Sequence, residues 1–100
     1  MAVMSDDFEV SEESVRREKQ RARELRQSRW WQNRIANASC YYCRRKLKRT
    51  EVTMDHIVPL SRGGKSTPGN TVPACKACNT KKRDCTAVEW EEYLLGAGTK

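Results

Sequence analysis

Apolar residues follow different rhythms along this chain. Val15, Ala22, Leu25, Trp31 and Ile35 form a thin stripe at helical spacing, surrounded by Arg16, Arg17, Lys19, Arg21, Arg23, Arg26, Arg29 and Arg34. No Gly or Pro interrupts the stripe, and Ser11 before Glu12 and Glu13 has the composition of an N-cap with acids at the positive end of the dipole. The pattern predicts one helix from Glu12 to Ile35, too polar to be a core helix throughout. Its first half should project or lie across a partner, while Trp30 and Trp31 dock its last turns on the folded unit. Base stacking is the competing use of these rings.

Farther on, Val52-Thr53-Met54 is β-prone and runs into Asp55 and His56, with Pro59 and two glycines to break the strand. Residues 61 to 70 read as a loop, Thr71-Val72 as a short second strand before Pro73, and Lys76 to Arg83 as a helix. Thr86-Ala87-Val88-Glu89 matches a capping box and predicts a last helix from Ala87 to Leu95, with Trp90 and Leu94 closing the core and Gly96 ending it. The elements make an α+β chain: a disordered acidic tail over 1–10, a basic helix over 11–36 and a folded domain over 37–95.

Charge sharpens the picture. Residues 1–13 carry five acids and no base, whereas residues 14–88 carry nineteen Lys and Arg against five acids. That surplus suits a polyanion, although a solvated basic surface or a localisation signal would share it. No stretch is apolar enough to span a bilayer, and the first residues lack a secretory layout, so the expected location is cytoplasmic, without a membrane partner.

In that compartment five cysteines favour metal thiolates over disulfides. Cys40-x-x-Cys43 and Cys75-x-x-Cys78 each turn two sulfurs toward one cation, and together they complete a tetrahedral structural zinc site. A redox motif is the competing reading, but neither copy sits in a βαβ pattern. The thirty-one residues between the pairs must hold a substantial insert, and Cys85 is left without a role. Arg44, Arg45 and Lys46 open a run of five positive charges in six residues, suited to phosphate or to a solvated turn.

Inside the insert lies the sole histidine, His56, beside Asp55. A neutral imidazole can take a proton and a carboxylate can ligate a hard cation, which suits metal-assisted attack by water. Asn70 could brace the loop that follows, while Asn79 and Lys82 lie just past Cys78 on the predicted helix.

In this order the motifs resemble the HNH endonuclease family, the ββα-metal or His-Me finger nucleases: Cys40-x-x-Cys43, Asp55-His56-Ile57-Val58-Pro59, Gly63-Gly64, Asn70, then Cys75-x-x-Cys78-Asn79-x-x-Lys82. The resemblance implies that 37–95 is a nuclease domain hydrolysing DNA phosphodiesters. His56 would be the general base, Asp55 and Asn79 the ligands of one catalytic ion, and Asn70 the brace for His56. Asn79 stands where the family name implies histidine, and its amide oxygen favours Mg2+ or Mn2+ over softer ions. Arg44, Arg45, Lys46, Arg62 and Lys82 are the expected contacts to DNA phosphates. Whether the chain forms a homodimer or joins a larger nuclease complex is left open. The alternative is a non-catalytic zinc module that binds nucleic acid or docks in a phage or restriction complex; it gives no reason for Asp55, His56, Asn70 and Asn79.

Overall fold

The computed structural model describes residues 10–82, 85–86, 88–90, 92 and 95. The expected acidic tail therefore lies outside the described residues, except for Val10, as do Arg83, Ala87, Leu94 and Gly96.

The basic N-terminal segment forms two helices rather than one: α1 (Glu12–Arg26) and α2 (Arg29–Ile35). Ser11 caps α1, its hydroxyl accepting from the Ser14 amide at 3.0 Å. The break comes from one residue. Ser28 is extended (φ −75°, ψ 155°); its hydroxyl donates to the Leu25 carbonyl at 2.6 Å and accepts from the Trp31 amide at 3.2 Å. A serine can thus satisfy a carbonyl at the end of one helix and an amide at the start of the next, ending a helix without Gly or Pro. Trp31 and Ile35 are buried, as docking of these last turns requires. Trp30 is half-buried against Trp31, with ring centroids 5.9 Å apart.

Two antiparallel strands follow, β1 (Val52–His56) and β2 (Thr71–Cys75), pairing Val52 with Cys75 and His56 with Thr71. Strand β2 continues through Pro73, beyond the predicted stop. The Pro73 carbonyl accepts from the Tyr41 amide at 2.9 Å, on the side away from β1. A strand residue directs its N and O to the same edge, so the proline nitrogen faces outward and costs the ladder nothing.

Helix α3 (Lys76–Lys82) leaves β2 directly and packs on both strands, giving a ββα unit. Its core is small: Cys40, Leu47, Ala74 and Cys75, with Tyr42, Val52 and Cys78 against them. Three cysteines in so small a core place much of the cohesion in the sulfur cluster. Beyond α3, Glu89 and Thr86 form the expected capping box: the Thr86 amide donates to Glu89 Oε1 at 3.0 Å, and the Glu89 amide to Thr86 Oγ1 at 3.2 Å. Val88–Trp90 is helical and Trp90 is buried. Among the described residues no helix is long and apolar enough to cross a membrane.

Candidate active site and metal centre

The sulfurs of Cys40, Cys43, Cys75 and Cys78 lie within 4.8 Å of one another, a set that can hold zinc. Each knuckle folds back so that an amide meets the sulfur three residues earlier: Cys43 N to Cys40 Sγ at 3.5 Å, Cys78 N to Cys75 Sγ at 3.4 Å. Arg44 closes the first knuckle in the left-handed region (φ 67°), its amide donating to the Cys40 carbonyl at 2.9 Å.

Burial opposes ionisation of Cys40 and Cys75, but hydrogen bonds outweigh it. Amides of the first knuckle bring Cys40 down, and Cys78 and Arg45 help bring Cys75 to about 6. Burial and the adjacent cysteine sulfurs push Cys78 up. A divalent cation among the sulfurs would relieve that crowding, so the donor set fits zinc in chemistry as well as spacing.

The second centre lies where β1 ends. A cleft of about 330 Å³ is lined by Asp55, His56 and Asn79, with Met54, Pro59, Leu60 and Ser61, and by Val15 and Lys19 of α1. Asp55 is 4% exposed. Its Oδ2 accepts a short hydrogen bond from the Tyr42 hydroxyl and lies 3.3 Å from Lys82 Nζ. Burial and the Asp55 carboxylate push the Tyr42 hydroxyl well up, so it remains a donor. Tyr42 sits between the two cysteines of the first knuckle, and the zinc site is thereby tied to the carboxylate, although its ion would lie outside the chemistry.

Lys82 differs from expectation. Its side chain is 0% exposed, faces Asp55, and donates to the His56 carbonyl at 3.0 Å. Buried in this way it holds the site together and is not a phosphate contact. Arg62 pairs with Glu89 at 2.7 Å, both about half-exposed. Arg44, Arg45 and Lys46 are exposed, and the Arg44 guanidinium lies 5.7 Å from the Tyr41 ring centroid.

Asn70 braces the loop. Its Oδ1 accepts from the Val58 amide at 2.9 Å, while Nδ2 donates to the carbonyls of Val58 at 3.0 Å and Lys65 at 2.8 Å. The Asn70 carbonyl also accepts from the Ile57 amide at 2.9 Å, steadying the backbone just after His56. Gly64 permits the turn, since a Cβ there would come within 1.7 Å of the Val58 oxygen. Gly63, at φ 90°, ends the short 3-10 turn Leu60–Arg62.

The His56 ring is held from another direction. Its Nε2 lies 2.9 Å from Ser66 Oγ, and Ser66 is clamped by Glu18 of α1. Burial lowers the His56 pKa, with Arg26 and Lys82 adding to the effect and Asp55 and Glu18 opposing it. Asn79 donates from Nδ2 to Thr53 Oγ1 at 2.9 Å.

Sequence reasoning missed Tyr42, Ser66 and Glu18, and misjudged Lys82. Glu18 alone carried a signal: an acid amid the arginines of α1, one residue from Lys19. It is buried at 2% exposure, and the Ser66 amide, aided by Arg21 and Lys65, holds its carboxyl below the usual range despite that burial.

Comparison with curated proteins finds no match. A family model described as HNH endonuclease matches residues 40–92, from the first zinc knuckle to just past Trp90. That segment spans more than half of the chain and holds both knuckles, Asp55, His56, Asn70 and Asn79; the chain belongs to the HNH endonuclease family.

Proposed function

We propose that the protein is a metal-dependent DNA endonuclease, with His56 as general base and Asp55 and Asn79 as ligands of one Mg2+ or Mn2+ ion. The observation that carries this reading is the cleft itself, whose lining gathers an imidazole, a buried carboxylate and a carboxamide. Tyr42 and Lys82 both engage Oδ2 of Asp55, which leaves Oδ1 as the oxygen to offer the ion. Asn79 donates from Nδ2 to Thr53, which leaves its Oδ1 as an acceptor for the same ion. Two hard oxygen donors suit those ions.

When bound, the ion would stabilise charge on the phosphate and on the leaving 3′ oxygen. His56 takes a proton from water as the new oxygen–phosphorus bond forms and the bond to the 3′ oxygen breaks; the departing oxygen takes a proton from solvent water, leaving 3′-hydroxyl and 5′-phosphate ends. Lys19 lines the same cleft and can meet a phosphate there. The exposed Arg44, Arg45, Lys46 and Arg62, with the arginines of α1, extend a surface for backbone phosphates, so binding should read little sequence and weaken steeply with salt.

The test is nicking of supercoiled plasmid in Mg2+ or Mn2+ by wild type and His56→Ala. Loss of nicking in the variant, with DNA binding and zinc content retained, is expected. Equal cleavage by both proteins would sink the assignment.

A further inference from the structure

We infer that Ser66, clamped by Glu18 of α1, sets the tautomer of His56 and so selects the ring nitrogen that can accept a proton. The inference rests on the catalytic reading above for its functional consequence, but not for its geometry.

A serine hydroxyl has one proton to give. Ser66 Oγ lies 2.6 Å from the Glu18 backbone carbonyl, an oxygen that can only accept, so the Ser66 proton goes there. The same Oγ lies 2.9 Å from His56 Nε2. With its proton committed, Oγ can only accept from the ring, and Nε2 must carry hydrogen. A neutral ring then keeps its lone pair on Nδ1, which becomes the nitrogen for the water proton.

Glu18 holds Ser66 twice, its Oε1 also accepting from the Ser66 amide at 2.7 Å. The carboxylate is steadied by Arg21 at 2.9 Å and Lys65 at 4.0 Å. Glu18 and Ser66 are 2% and 7% exposed, so water is a poor competitor for these bonds. When His56 becomes protonated, Nε2 still donates to Ser66, and nothing in the clamp need rearrange during the proton transfer.

Glu18 lies outside the segment 40–92 matched by the family. Helix α1 therefore does more than present arginines: it provides a cleft wall and orients the base. Ser66 and Glu18 are positioning residues, since they act through His56.

His56 is the sole histidine, so long-range 1H–15N correlation spectra of the full chain report its ring without ambiguity. With the ring neutral, the wild type should show the Nε2–H form. Ser66→Ala should shift the ring toward a mixture of tautomers and lower kcat on the order of tenfold with KM for plasmid unchanged. Ser66→Thr, which keeps the hydroxyl, should restore both.

An Nδ1–H ring in the wild type overturns the inference even if Ser66→Ala fails to fold. So does a folded Ser66→Ala whose ring remains Nε2–H. A wild type with the Nε2–H ring that cuts no DNA supports the tautomer and removes the nuclease reading, so the two can fail separately.

Discussion

Lys82 Nζ stands 3.3 Å from Asp55 Oδ2, in a contact where the two side chains are 0% and 4% exposed. A lysine so enclosed is seldom found without a partner. This one joins the end of α3 to the end of β1 and also holds the His56 carbonyl.

The pair predicts strong non-additivity. Lys82→Met should cost about 3 kcal/mol or more, because it leaves Asp55 buried beside no cation, and Asp55→Asn should be costly for the converse reason. The double variant should lose less than the sum, as measured by chemical denaturation with zinc present. Additive losses would show that the contact contributes little.

Two glycines in the same loop should behave oppositely. Gly64→Ala drives a Cβ to 1.7 Å from the Val58 oxygen, whereas a Cβ at Gly69 meets nothing within 4 Å. Gly64→Ala should destabilise by about 3 kcal/mol or more and Gly69→Ala by well under 1 kcal/mol, read from thermal unfolding. Similar losses at both positions would contradict the described turn.

Removal of zinc should unfold the domain. The cluster supplies two of the four buried residues of the ββα core, Cys40 and Cys75, with Cys78 packed against them. Chelation or Cys75→Ser should therefore abolish the cooperative unfolding transition in circular dichroism. A folded, zinc-free Cys75→Ser protein would reject a structural role for the metal.

Activity should persist into mildly acidic solution. Burial lowers the pKa of His56 from its ordinary value of 6.5, so the neutral, proton-accepting ring survives to lower pH than in a free histidine. The acid limb of kcat/KM should lie below 6.5. A limb above that value would show that another group governs it.

Local chemistry made much of this legible. Each Cys-x-x-Cys needs only a four-residue turn to aim two sulfurs at one point, and the Thr86–Glu89 box closes over three residues, so short windows suffice. The brace at Asn70 was legible for a similar reason, because one amide can tie several strands of a loop too poor in apolar residues to hold itself. The break at Ser28 is local too, yet it is not legible in the sequence: a serine inside a helical pattern reads equally well as a surface residue or as a cap, and only the extended backbone at Ser28 separates them.

By itself, the sequence determined the sulfur cluster, the strand leading to Asp55 and His56, the loop and its brace, and the basic surface. Those follow from residue type, short spacing and charge. Tertiary structure alone decided that Lys82 is buried against Asp55, that Tyr42 reaches the same carboxylate across 13 residues, and that Glu18 grips Ser66 across 48. The reason is physical: a long polar side chain on a helix has the same local pattern whether it faces water or a partner. Only the packing of α1 on the ββα unit, and of α3 on its two strands, removes water from Glu18 and Lys82 and makes their hydrogen bonds part of the site.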